Sequence, residues 1–147
     1  AAASNSGNGA KVIELLLDRR AEEVTITEDI VKAAAGNSGN GAEVIELLLD
    51  RRAEEVTITE DIVKAAAGNS DNGAEVIELL LDRRAEEVTI TEDIVKAAAG
   101  NSGNGAEVIE LLLDHREDQI TITEDIVKAA AGNWRNGAKV MELLQGH

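Results

Sequence analysis

A 32-residue period constrains this chain more than any other feature. The string AAAGNSGNGAEVIELLLDRRAEEVTITEDIVK begins at Ala33 and returns from Ala65 with one change, Gly39 becoming Asp71. It begins again at Ala97, and Gly36, Gly68, Gly100 and Gly132 mark successive registers. The opening AAASNSGNGAKVIELLLDRR is the same unit with Ser4 in the glycine register and Lys11 in place of glutamate. The closing LLLDHREDQITITEDIVKAAAGNWRNGAKVMELLQGH departs further. A unit this short cannot bury an aliphatic face alone, so neighbours must stack around one continuous core. The expected organisation is a single array over residues 1–147, with registers starting near 1, 33, 65, 97 and 129, the last one partial.

Each unit reads as two helices. In GAEVIELLLDRR (residues 41–52), Val44, Ile45, Leu48 and Leu49 recur with helical spacing, Leu47 broadens the stripe, and Glu43, Glu46 and Asp50 lie opposite. In TEDIVKAAAG (residues 59–68), Thr59 can cap a helix whose first turn carries Glu60 and Asp61, where the helix dipole favours negative charge. Ile58 and Val63 occupy the positions of a hydrophobic staple, Glu60 and Lys64 form an i,i+4 pair, and Gly68 stands where a left-handed residue ends a helix. The run Ala65, Ala66, Ala67 lets this short helix lie close to its neighbours. Between the helices, EEVTIT predicts an extended connector with Val56 and Ile58 filling the gap between units. Nine helices in strict alternation are expected, beginning in the tail of a short one (residues 1–3) and ending in a long one (residues 139–144).

The loop GNSGNG (residues 36–41) is the one stretch that could suggest phosphate binding. No lysine follows any copy, as a Walker loop demands, and a helix rather than a strand precedes it. Each letter instead fits a turn: Gly36 after one helix, Asn40 as N-cap of the next, and Gly41 for close approach. A calcium loop fails as well. Placing Gly73 at the obligatory glycine puts Gly68 where a carboxylate is required.

The letters TEDIVKAAAGNSGNGAEVIELLLDRRAEEV resemble the ankyrin repeat. Thr59, Ala65, Ala66, the glycine turn, Glu75, Val76 and the leucines Leu79 to Leu81 fall roughly in its signature roles. The signature proline and histidine are missing, and the finger between repeats is shortened to RRAEEVTI. Residues 122–133 and 139–144 are similar to short helical repeats of large fungal receptor-type proteins with NACHT-like cores. These resemblances imply an all-α solenoid of stacked helix–turn–helix repeats, ankyrin-like with shortened finger loops, and a recognition role with no catalytic residues to carry over.

Composition narrows the function. With 14 basic and 29 acidic residues, a formal charge of −15 repels nucleic-acid phosphates, and no basic patch with aromatics offsets it. No apolar run approaches the roughly 20 residues needed to span a bilayer, and no secretory pattern is visible at the start. The absence of cysteine removes disulfides and the best zinc ligands and is compatible with a cytoplasmic location. Proline is also absent, against an average near about 5%, which suits a repeated or engineered sequence. Consensus design and recent duplication both remain open. The acidic pair Glu60-Asp61 recurs in every unit, and Glu54-Glu55 in all but the last, at solvent-facing or capping positions, while His115 and His147 lack partners at a telling spacing. No catalytic, cofactor-binding or metal-binding residues are therefore expected, and no cofactor or small-molecule substrate.

The expected function is a non-enzymatic repeat scaffold for protein–protein interaction, in a consensus, engineered or highly homogenised array without a known native ligand. Ligand-sensing repeats of a fungal receptor and an end-to-end self-assembling solenoid are the alternatives. Trp134 and Arg135 replace Ser-Gly in a turn and form the candidate partner contact, since both residue types are enriched at interface hot spots. The plainer expectation packs Trp134 over the last long helix as a partial cap. Self-association would run through ends that lack a polar capping unit. The Glu43, Glu75 and Glu107 row predicts like-charge repulsion along the stack.

Overall fold

The computed structural model describes residues 2–5 and 7–146; Ala1, Ser6 and His147 lie outside the described residues. Nine α-helices follow one another among the described residues, long and short in alternation. The long ones are α1 (Gly9–Arg19), α3 (Gly41–Arg51), α5 (Gly73–Arg83), α7 (Gly105–Arg116) and α9 (Gly137–Gln145). The short ones are α2 (Glu28–Ala35), α4 (Glu60–Ala67), α6 (Glu92–Ala99) and α8 (Glu124–Gly132). Long helices pack on long, short on short, and each short helix on the long one that follows it, giving a two-layer all-α solenoid. No described residue lies in a strand.

Local chemistry explains where the short helices start. Thr27, Thr59 and Thr91 each accept the N–H of the isoleucine three residues on, at 3.4 Å, and Thr123 does so at 3.3 Å. Glu and Asp fill the first turn in every case, at the positive end of the helix. Both staple residues, Ile58 and Val63, are buried.

The core is continuous along the array. Ile45, Leu48, Ile62, Ile77, Leu80 and Ile94 are among its largest fully buried side chains, each worth about 1.5–3 kcal/mol relative to exposure. Ala34, Ala66 and Ala98 are completely buried where short helix meets short helix.

Four local expectations change. First, Gly68 is not left-handed: its φ is −88° and ψ −3°, and no described residue has positive φ. The loop reverses through side-chain hydrogen bonds from the following asparagine, so the glycine has no need of that conformation. Second, Asn40 precedes α3 but makes no side-chain cap bond. Third, the Glu–Lys pair closes only in α8, where Lys128 and Glu124 are 3.0 Å apart. On the other short helices these exposed side chains gain too little to be held together, and Glu28 instead accepts from the Thr59 hydroxyl of the next unit at 2.5 Å. Fourth, residues 3–4 form a turn rather than a helix tail, because so few residues cannot complete a helical turn.

The connectors are only partly extended. Ala53–Glu55 forms a 3-10 turn, after which Val56 adopts extended backbone, and both Val56 and Ile58 are buried between units as expected.

Candidate interaction surfaces

The loop edge is held by asparagines three residues earlier than the local capping rule points. Asn37, Asn69, Asn101 and Asn133 are the only buried polar residues among those described. Asn69 shows the full pattern. Its Oδ1 accepts the N–H groups of Asp71 (3.2 Å) and Asn72 (3.0 Å), building its own turn. Its Nδ2 donates to the carbonyls of Ala35 (2.9 Å) and Asn37 (3.1 Å), both in the preceding unit. Asn101 repeats this to Ala67 and Asn69, and Asn133 to Ala99 and Asn101. The result is a ladder of amides joining unit to unit. Asparagine occupies this register at 5, 37, 69, 101 and 133 and equally the position three residues on, at 8, 40, 72, 104 and 136, so repetition marks the loop but not which amide is buried.

The glycine that opens each long helix makes the ladder possible. A Cβ on Gly73 would lie 2.6 Å from the Ala66 carbonyl oxygen, and one on Gly41 2.5 Å from that of Ala34. Close approach is therefore the reason for glycine at this register, as the sequence implies.

The connector edge uses longer, charged side chains. Glu55 accepts the backbone N–H of Ile26 at 3.2 Å, Glu87 that of Ile58 at 3.0 Å, and Gln119 that of Ile90 at 2.7 Å. The arginines reach back in parallel. Arg52 donates to the Val24 carbonyl at 3.0 Å and to that of Ala21, and Arg116 donates to the Ala85 carbonyl at 2.8 Å. Arg52 also pairs with Glu55 and Arg84 with Glu87, which orients each clip. On the outer surface Arg51 meets Asp18, and Arg83 meets Asp50 at 2.9 Å. Asp18 raises the Arg51 pKa above its ordinary value, first as hydrogen-bond acceptor and then as a charge. This row stops at His115, whose ring Nδ1 sits 2.9 Å from the Leu111 carbonyl of its own helix.

The face of the long helices is acidic. One groove between α5 and α7 is lined by Glu75, Glu78, Glu107, Glu110 and Asp114, with Ala74 and Leu111 at its floor. Another, between α3 and α5, is lined by Glu43, Glu46, Glu75, Glu78 and Asp82, with Ala42 and Leu79. None of these carboxylates has an ion pair or hydrogen bond to another described residue. No group of three or more His, Asp or Glu among the described residues could hold a metal ion, and no described helix is long and apolar enough to cross a membrane.

Trp134 does not cap the last helix. It is 83% exposed on the loop edge, with the Arg135 guanidinium 5.6 Å from its ring centre. The loop points away from α9 because Asn133 takes the N–H groups of Arg135 and Asn136, turning the Trp134 side chain outward. Trp134 and Arg135 are thus brought together, whereas His115 lies apart from both and His147 is outside the described residues.

Helix pairs repeated every 32 residues and joined by matching clips define an α-solenoid repeat protein. The sequence model of a domain of unknown function, DUF7104, matches residues 15–44, 47–76, 79–108 and 111–141. These copies cover most of the chain, which therefore belongs to that family. Each matched segment starts midway through a long helix and runs through connector, short helix and loop into the next long helix, so it contains the short-on-long pair that packs directly. No curated protein and no solved structure matches; neither ankyrin proteins nor fungal receptors are among the matches.

Proposed function

We infer that the array is a non-enzymatic recognition scaffold that binds a basic segment of a partner protein along its long-helix face. The observation that carries this reading is the pair of acidic grooves, whose carboxylates are unpaired although the chain contains 14 lysines and arginines. A segment alternating Lys or Arg with aliphatic residues would set its cations among Glu75, Glu78, Glu107 and Glu110 and an apolar side chain on Leu111. The resemblance to ankyrin-like repeats supports a binding role, and the lack of cysteine fits a reducing compartment such as the cytoplasm. Near-identity of residues 33–64 and 65–96 fits an array spread by duplication or written as a consensus.

Calorimetric titration with a short peptide of alternating lysine and leucine tests the reading. Neutralising Glu75, Glu78, Glu107 and Glu110 to glutamine should weaken binding by more than about tenfold, about 1.4 kcal/mol. Neutralising Glu22, Glu54, Glu86 and Asp118 on the exposed 3-10 turns removes the same charge and should leave affinity within about twofold. Equal losses in both variants mean attraction to net charge alone, and the recognition reading fails.

A further inference from the structure

We propose that the groove between α5 and α7 takes the guanidinium of a partner's arginine, set against Asp82 where the repeat elsewhere places an arginine of its own. The proposal rests on the recognition reading above and names the cation and the groove. Between α1 and α3, Arg51 crosses to Asp18, and between α3 and α5, Arg83 crosses to Asp50 at 2.9 Å. Both pairs span 33 residues, from the aspartate near the end of one long helix to the arginine that ends the next. The same step from Asp82 arrives at His115. That ring turns back along its own helix, its Nδ1 2.9 Å from the Leu111 carbonyl. Asp82 has no ion pair among the described residues.

The neighbouring units show what this position binds when a cation is present. Asp18 and Asp50 occupy the same place in their helices as Asp82, and each holds a guanidinium. The Arg51 guanidinium also feels Glu14, one turn before Asp18, and Glu78 stands in the same relation to Asp82. A cation brought to Asp82 is therefore met by two carboxylates of α5 and, across the groove, by Glu107, Glu110 and Asp114 of α7. Arginine suits this better than lysine, because several N–H donors in one plane can serve more than one carboxylate oxygen. The groove between α3 and α5 is as acidic, being lined by Glu43, Glu46, Glu75, Glu78 and Asp82. There, however, Arg83 already lies against Asp50, so an entering arginine finds its acceptor taken and a like charge beside it. The residue at position 115 is what tells the two grooves apart.

Calorimetric titration with a short peptide of alternating arginine and leucine tests the assignment. Wild type should bind it about threefold more tightly than the matching lysine–leucine peptide. His115→Arg supplies the cation from within the chain and should weaken binding of the arginine peptide by at least about fivefold. Glu54→Gln makes the same one-unit change in charge on an exposed 3-10 turn and should leave affinity within about twofold. Combining His115→Arg with Arg83→His moves the open position to Asp50 at unchanged composition. That double variant should bind within about twofold of wild type, and adding Glu43→Gln and Glu46→Gln to it should then weaken binding by about fivefold. All the substituted side chains are exposed, so circular dichroism should be unchanged. A His115→Arg variant that binds like wild type overturns the proposal and leaves the recognition reading standing. Equal affinity for the two peptides does the same, as does a double variant as weak as His115→Arg alone. Failure of wild type to bind either peptide overturns both.

Discussion

Along the loop edge, each unit grips its predecessor with a neutral amide buried among alanines; along the connector edge, it does so with glutamate and arginine side chains that remain partly wet. The two edges tolerate change differently. The loop asparagine is the same in every register, whereas the connector edge accepts Gln119 for glutamate, and His115 for arginine on the surface beside it. The buried amide makes two donor and two acceptor bonds at once, and no other side chain of that length supplies both. At the connector only an acceptor is required: Gln119 holds the Ile90 N–H at 2.7 Å without any charge. The buried position is therefore held by the group whose full hydrogen-bonding capacity is used out of water, where an unpaired atom is costly.

The largest effect should come from the buried amide. Asn69→Ala strands two backbone N–H groups and the Ala35 carbonyl, while the Asn37 carbonyl keeps the Gly41 N–H, and should cost about 3 kcal/mol in urea unfolding. Asn72→Ala, at the position next to the helix, should cost about 1 kcal/mol or less. A reversed order would return the cap to the local rule and break the contrast between the edges.

Close approach comes next. Gly73→Ala puts a methyl group 2.6 Å from the Ala66 oxygen and should cost about 1–3 kcal/mol. Gly68→Ala meets nothing nearer than 3.6 Å in right-handed backbone and should be neutral or stabilising by up to about 1 kcal/mol. Equal melting temperatures for the two variants would show that the loops shift freely, against a close-packed loop edge.

At the connector edge, Glu87→Ala should cost about 1 kcal/mol, while Glu87→Gln should be within about 0.5 kcal/mol of wild type, since only the acceptor counts. A glutamine variant as weak as the alanine one would mean that charge holds this edge. Arg83→Ala, which removes an exposed ion pair with Asp50, should cost only about 0.2–1 kcal/mol. Smallest of all, raising salt from about 0.01 to 0.15 M should lift the melting temperature slightly by screening the unpaired carboxylates of the long-helix face. A fall would show that the surface ion pairs outweigh that repulsion.

The sequence reads clearly wherever the governing physics is local. Thr59 caps α4 because its oxygen reaches an N–H three residues away, and the spacing of Val44, Ile45 and Leu48 defines the buried stripe of α3 without knowledge of what covers it. The period then requires stacking, because no single unit can bury that stripe. The acidic grooves are only half legible. Composition shows the excess of carboxylates, but whether Glu75 and Glu107 share a groove or find cations depends on which helices lie side by side.

Two asparagines show where local reading stops. Asn40 and Asn37 lie three residues apart in the same loop, and a rule based on chain neighbours selects Asn40. The carbonyls that Asn37 and Asn69 satisfy belong to residues 32 and 34 positions earlier, so only the stacked structure tells which asparagine is buried and which is not. Trp134 teaches the same lesson, since its exposure follows from a turn set by Asn133. By itself, the sequence determined the helices, their order and the need to stack, because these depend on spacing along one chain segment. The tertiary structure decided the clips, the glycine conformations and the exposed groups, because each depends on atoms that only the packing of one unit on the next brings within bonding distance.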